Sequence, residues 1–234
     1  MPCSDPFADG PTIKHCHEVA ILNGTSSVRD CIRIVEAARA KGLTVPIILM
    51  GYYSSFVQEY DSNLCKMCED ASAGGVDGFL AVGIGDNYVR EKVTEEYSAK
   101  YPDLRLEPII HATAYVSPFS VVDIGSVVMA HATVGPKTMV GKGCIINTKA
   151  SIDHDSQMSD FSSLGPGVVT GGNTKVGNRS AVCIGATIKH GISIGSDCVI
   201  GAMSYLNKDL SDQQTAYGVP AKVVRKHTAG EPYL

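Results

Sequence analysis

Residues 133–201 read TVGPKTMVGKGCIINTKASIDHDSQMSDFSSLGPGVVTGGNTKVGNRSAVCIGATIKHGISIGSDCVIG, and every sixth residue in this stretch but one is large and apolar: Val134, Val140, Ile146, Ile152, Met158, Leu164, Val176, Val182, Ile188, Ile194 and Ile200. The series runs outward to Ile110 on one side and Leu206 on the other, and Thr170 is its one polar member. A spacing of six is a multiple of the strand period of two and not of the helical 3.6, so such residues can all face one interior from short strands. Two residues before each large one the position is usually small, as at Ala132, Thr138, Cys144, Ala150, Ser156, Ser162, Thr174, Ser180, Ala186 and Cys198. Large and small therefore alternate in one narrow core. A turn-former often follows the large residue, as at Gly135, Gly141, Asn147, Gly165, Gly171, Gly177 and Gly195, and reads as a corner where positive φ costs little. Strand, corner and strand repeated in this way predict a parallel β-helix, whose stacked coils share one core and are not stable singly.

Before the repeat the pattern changes. Helices are expected at about 26–42, 62–73 and 87–100, and strands at 44–50, 76–82 and 105–110. Strands alternating with helices imply a small, partial parallel sheet. The expected organisation is an α/β unit over 1–108, a β-helix over 109–210, and a closing loop and tail over 211–234.

Composition narrows the function classes. With 44% hydrophobic residues in 234, the chain can bury a sizeable core. A net charge of −4 gives no reason to expect nucleic acid. MPCSDPFADG has no basic start followed by an apolar run, so no signal peptide is expected, and the most apolar stretch, Val45 to Tyr53, is too short to span a bilayer. Eight scattered cysteines, several at small interior positions, favour reduced thiols in a cytoplasmic protein. The single CxxC at Cys65 and Cys68 has no second pair and lies in a helical pattern, so no metal is expected there.

Four motifs carry a family resemblance: FLAVGIGDNYVREK at 79–92, PIIHATAYVSP at 108–118, CIINTKASIDHD at 144–155 and YGVPAKVVR at 217–225. Over about 78–226 the chain resembles the left-handed β-helix sugar O- and N-acetyltransferases, of the type that act on sialic acid and UDP-amino sugars. Left-handed coiling is implied by that resemblance alone, because parallel crossovers are generally right-handed. So are acetyl-CoA as co-substrate, a sugar or nucleotide-sugar acceptor, and a homotrimer with sites between subunits. His154 falls at the family's catalytic base, with Asp155 as the acidic neighbour that strengthens it. A nearly neutral imidazole suits removal of a proton from an attacking amine or hydroxyl, and a carboxylate raises its basicity. Read without the resemblance, His154 is better explained as a corner residue on a solvated turn.

The resemblance also places donor contacts at Ser163, Gly172, Ile184 and Ala202, with Lys222 in the closing loop near the CoA phosphates. Ser163 departs from the histidine of close relatives. Gly85 and Asn87 match a substrate-proximal loop, while the glycine-rich turn that holds the nucleotide-sugar in the family is not found. That loss keeps open a catalytically inactive scaffold as the alternative.

A second resemblance covers residues 1–82. MPCSDPFADGPTIK, ARAKGLTVPIILMGYY and AGGVDGFLAV are similar to an internal segment of the tryptophan synthase alpha subunit, a (β/α)8 barrel using two carboxylates. Asp9 matches one of them; the other, and the later phosphate-binding strands, have no counterpart, so no lyase activity is expected from a fragment that cannot close a barrel.

Overall fold

The computed structural model describes residues 84–231, apart from 101, 103, 104, 107 and 112, together with the strands His15–Cys16, Ile47–Leu49 and Phe79–Val82. The expected helices at 26–42 and 62–73, the CxxC pair and Asp9 lie outside the described residues.

From Ile109 onward the chain winds into a three-sided prism of two-residue strands. Register pairs advance by eighteen residues, as in Val127 to Ile145 to Ser163 to Ala181 to Val199, so each coil contributes one strand to each of three parallel sheets. These sheets hold nine, five and six strands. The first of them, here the A face, begins at His15–Cys16, passes through the coils, and ends at Gln214–Gly218 and the antiparallel strand Ala221–Lys226. The C face carries strands from Tyr115–Val116 to Tyr205–Leu206, and the D face those from Val121–Val122 to Ser193–Ile194.

The six-residue series is the core. Ile110, Val134, Ile146, Ile152, Leu164 and Ile200 are fully buried, and Thr170 is buried with them. The small positions do more than fill space, because each vertex of the prism must satisfy the backbone of its turns. Ser126 Oγ donates to the Gly141 carbonyl and accepts the Cys144 N–H one coil on (2.7 and 2.9 Å). Ser180 does the same for Gly195 and Cys198 (2.5 and 2.9 Å). Burial pushes the Cys144 thiol up to about 11, which makes it a packing residue rather than a nucleophile.

The corner glycines have a different cause from the one expected. Positive φ falls two residues beyond them, and mostly on other residue types, including His131, Lys137, Lys149, Asp155, Asn173 and Arg179. What the glycine after the large residue supplies is room: a Cβ at Gly135 would stand 2.7 Å from the His154 nitrogen of the next coil. Close approach of stacked backbones, not left-handed conformation, selects it.

Before the prism, Ile47–Leu49, Phe79–Val82 and Arg105–Leu106 form a three-stranded parallel sheet. The strand expected at 105–110 is split, Arg105–Leu106 joining this sheet and Ile109–His111 joining the A face. The helix α1, Asn87–Lys100, starts where Asp86 caps the Val89 N–H through its Oδ1 (2.9 Å). It docks along the vertex between the D and A faces through a polar row. Asn87 Nδ2 donates to the Arg179 and Ser180 carbonyls (3.0 and 3.1 Å). The fully buried Arg90 donates to Gly143, Ile84 and Phe161 carbonyls (2.8, 2.7 and 2.6 Å). Glu91 meets Arg179, which is also paired with Asp197 (3.1 and 2.7 Å). Helix and prism are thus pinned by side chains reaching turn carbonyls, of which Gly143, Phe161 and Arg179 accept no main-chain N–H from a neighbouring coil. No helix among the described residues is long and apolar enough to cross a membrane.

Removing the guanidinium would strand buried carbonyls on two consecutive coils. Arg90→Met is expected to lower the unfolding free energy by about 3 kcal/mol, from unsatisfied acceptors at about 1–3 kcal/mol each. Urea denaturation reads this directly, and an unchanged midpoint would mean that α1 contributes nothing to holding the prism.

Candidate active site

The vertex between the C and D faces carries the chemistry. Its corners stack Pro136, His154, Gly172 and His190, one per coil, at the strand spacing of about 4.8 Å. His154 is exposed, with its side chain 55% accessible, while its main chain is tied down on every side. Its N–H donates to Asp153 Oδ1 (2.7 Å), and its carbonyl accepts from the Asn173 N–H (2.8 Å) and Ser156 Oγ (3.2 Å). The left-handed Asp155, φ +53, anchors its own N–H on the Pro136 carbonyl (3.0 Å) and turns its carboxylate back to the imidazole. An exposed side chain therefore stands on a fixed corner.

Asp155 Oδ2 lies 2.8 Å from His154 Nδ1. An ionised carboxylate can only accept, so Nδ1 carries the proton and Nε2 holds the free lone pair. The Asp155 hydrogen bond, with the charge of Asp153 behind it, raises the His154 pKa above its ordinary value. Nε2 faces the next coil: a Cβ at Gly172 would come within 2.5 Å of both Nε2 and Cε1. Glycine at 172 is what lets the ring lie there. His154, Asp155 and Gly172 thus form one constellation, able to accept a proton at Nε2.

The remaining sequence-derived candidates stand elsewhere. Ser163 lies half-buried in the A face, between Ile145 and Ala181. Ile184 and Ala202 are exposed on stacked corners of the vertex between the A and C faces, tied by the Met203 N–H to the Ile184 carbonyl (2.9 Å). Lys222 is exposed on the final strand, paired in register with Tyr217. Of the expected donor contacts, Gly172 therefore sits with the base, whereas Ser163, Ile184, Ala202 and Lys222 lie away from the His154 vertex of the same chain. Gly85 is exposed ahead of α1, whereas Asn87 is buried with its amide on the prism carbonyls. Sequence reasoning did not single out Arg90, Arg179 or the glycine contact beneath the imidazole; nothing in the pattern of NYVREK marks Arg90 as a buried residue.

Comparison with known proteins gives two overlapping similarities. Residues 1–114 match the family described as tryptophan synthase alpha chain. The tryptophan synthase of Saccharomyces cerevisiae is 42% identical over 84 residues, and the tryptophan synthase alpha chain of Roseiflexus castenholzii 39% over 80. The matched regions make up 36% and 34% of this chain but only 11% and 29% of those proteins. Among solved structures, the acetyltransferase domain of PglB from Neisseria gonorrhoeae, in complex with acetyl coenzyme A, is 35% identical with a TM-score of 0.61. The match covers 63% of this chain and 71% of that one. GDP-perosamine N-acetyltransferase from Caulobacter crescentus, in complex with CoA and GDP-perosamine, is 30% identical with a TM-score of 0.68, over 82% of this chain and 91% of that one. At 17% identity and a TM-score of 0.53, WeeI from Acinetobacter baumannii shares the fold. A prism of six-residue repeats that aligns at this identity over most of two such proteins belongs to the hexapeptide-repeat, left-handed β-helix family of sugar acetyltransferases.

Proposed function

We propose that this protein transfers an acetyl group from acetyl-CoA to an amine of a sugar or nucleotide-sugar, with His154 as general base. The observation that carries the reading is the exposed imidazole whose Nδ1 is held by Asp155, leaving Nε2 as the basic atom. Support for the substrates comes from the relatives, one bound to acetyl coenzyme A and another to CoA and GDP-perosamine. In the proposed step the acceptor nitrogen attacks the thioester carbonyl while Nε2 takes its proton. The CoA sulfur leaves as the tetrahedral intermediate collapses, and the imidazolium returns the proton to it. No acyl-enzyme forms, and backbone N–H groups stabilise the oxyanion.

The donor arm lies along Ile184 and Ala202, with Ser163 beneath it and Lys222 toward the phosphates. Since Ile184 and Ala202 stand on a different vertex from His154, a complete site requires two chains side by side, and the protein is a homotrimer with three shared sites. Gly85 and Asn87, at the start of α1, lie on the acceptor side; Asn87 acts there by holding the loop in place.

His154→Ala should lower turnover by about 10²–10⁴-fold, the usual contribution of a general base, with CoA affinity unchanged. Thiol release with a panel of nucleotide-linked amino sugars measures this, and full activity in the variant would sink the mechanism. A base must be neutral to act, and Asp155 raises the His154 pKa, so activity falls as pH drops through that raised value. Asp155→Asn is expected to move the acidic limb of the rate profile to lower pH while reducing the plateau; an unmoved limb would separate Asp155 from the titration. Gly172→Ala should preserve the melting temperature but displace the ring, cutting turnover by at least about tenfold. For the shared site, His154→Ala and Ile184→Glu chains, each inactive alone, should regain activity when co-assembled. Failure of that mixture, or an active monomer by light scattering, would rule out sites between chains.

A further inference from the structure

The one polar residue of the six-residue core series, Thr170, stands one coil beyond the His154 corner. Along this side of the prism each coil hands a main-chain N–H to the carbonyl of the next. Ser117 donates to Val134 (2.9 Å), Gly135 to Ile152 (2.8 Å), and Gly171 to Ile188 (2.9 Å). At the corresponding rung below His154 the pattern breaks. The Asp153 N–H goes to Thr170 Oγ1 at 3.3 Å in place of the main-chain carbonyl. The register records the same break: Ile152 pairs with Val134 on one side, but on the other only Ser151 and Val169 pair. A second hydroxyl holds the opposite end of the same residue, Thr138 Oγ1 donating to the Asp153 carbonyl (2.7 Å). The peptide groups that launch the His154 corner are thus gripped by threonines from the coils on either side. Two residues before it, Val168 is fully buried where most repeats have a small residue.

We propose that Thr170 is a positioning residue for His154. Its buried hydroxyl replaces one rung of the ladder and sets the corner 153–155 so that the imidazole reaches over Gly172 with Nδ1 on Asp155. An apolar residue at 170, as at the other positions of the series, leaves Asp153 to close the rung onto the main-chain carbonyl. That closure draws the corner toward the coil on which the ring must lie. The energetic logic is that of a supporting contact that fixes the geometry of a reacting group, where small displacements carry large kinetic effects.

The proposal rests on His154 acting as base, so its test includes a readout independent of turnover. Thr170→Val is close in shape and matches the repeat, so the prism should fold with a melting temperature equal to or above that of the unaltered protein. In protein labelled with ¹⁵N-histidine, the His154 ring nitrogens, read through the carbon-bound ring protons and assigned with His154→Ala, should shift away from the Nδ1-protonated pattern. Turnover should fall by about tenfold with acceptor KM and CoA affinity unchanged. Thr170→Ser, which keeps the hydroxyl, should restore both the spectrum and turnover. An unaltered ring spectrum in Thr170→Val overturns the proposal, whatever happens to stability. A shifted spectrum in a protein that acetylates nothing leaves the positioning role standing and removes the acetyltransfer reading instead.

Discussion

The structure depends on one constraint: successive coils stack at the spacing of hydrogen-bonded strands, about 4.8 Å, so every corner meets its neighbour almost backbone to backbone. At Gly135 this forbids a side chain where the next coil passes. It also buries turn amides and carbonyls that regular strands would have satisfied, and the small inward residues answer that need. Their chemistry differs by vertex. Between the C and D faces they include Thr138, Ser156 and Thr174, and between D and A Ser126, Cys144, Ser162 and Ser180, all carrying a polar atom for the turn. Between A and C they include Ala132, Ala150 and Ala186, which carry no such atom, while Ser204 on the last coil accepts the Gly218 N–H (3.0 Å).

A rigid corner presenting an exposed side chain suits proton transfer. Burial would suppress the imidazolium and weaken the base, and at His154 desolvation is outweighed by the hydrogen bond to Asp155 and the charge of Asp153. Both carboxylates come from the same turn as the histidine, so the electrostatics travel with the base. Neighbouring coils supply the rest: Asn173 holds its carbonyl, Pro136 holds the N–H of Asp155 beside it, and Gly172 makes room for its ring. Fold stability and the base's geometry therefore draw on the same ladder.

What the sequence made legible follows from periodicity. The core from Ile110 to Leu206 was readable because a six-residue spacing cannot be produced by a helix, and His154 with Asp155 because the stretch IDHD carried a family match. The corner glycines were readable as corners but not for their cause, since crowding from the next coil depends on a partner eighteen residues away. The helix at 87–100 was visible as a helix, yet its docking was hidden. Its inward row of Asn87, Arg90 and Thr94 is polar, and amphipathic reading assigns such a row to solvent. The split of the candidate site between vertices was equally hidden, because positions nine residues apart, such as His154 and Ser163, give no hint of which face each occupies until coils are assembled.

The same helix bears on how two family resemblances meet in one chain. The tryptophan synthase alpha match runs to residue 114, past α1, while the acetyltransferase motifs begin near residue 79. Strand Phe79–Val82, α1 and strand Arg105–Leu106 form a unit common to both kinds of parallel α/β architecture. The side chains of α1 decide between them. A barrel helix covers its strands with an apolar stripe, whereas α1 buries an arginine and an asparagine against turn carbonyls of three successive coils, at Gly143, Phe161 and Arg179. Such a row has value where those carbonyls lack main-chain donors, as they do at these corners. By this measure α1 is fitted to the prism, even though the tryptophan synthase alpha match runs through it to residue 114.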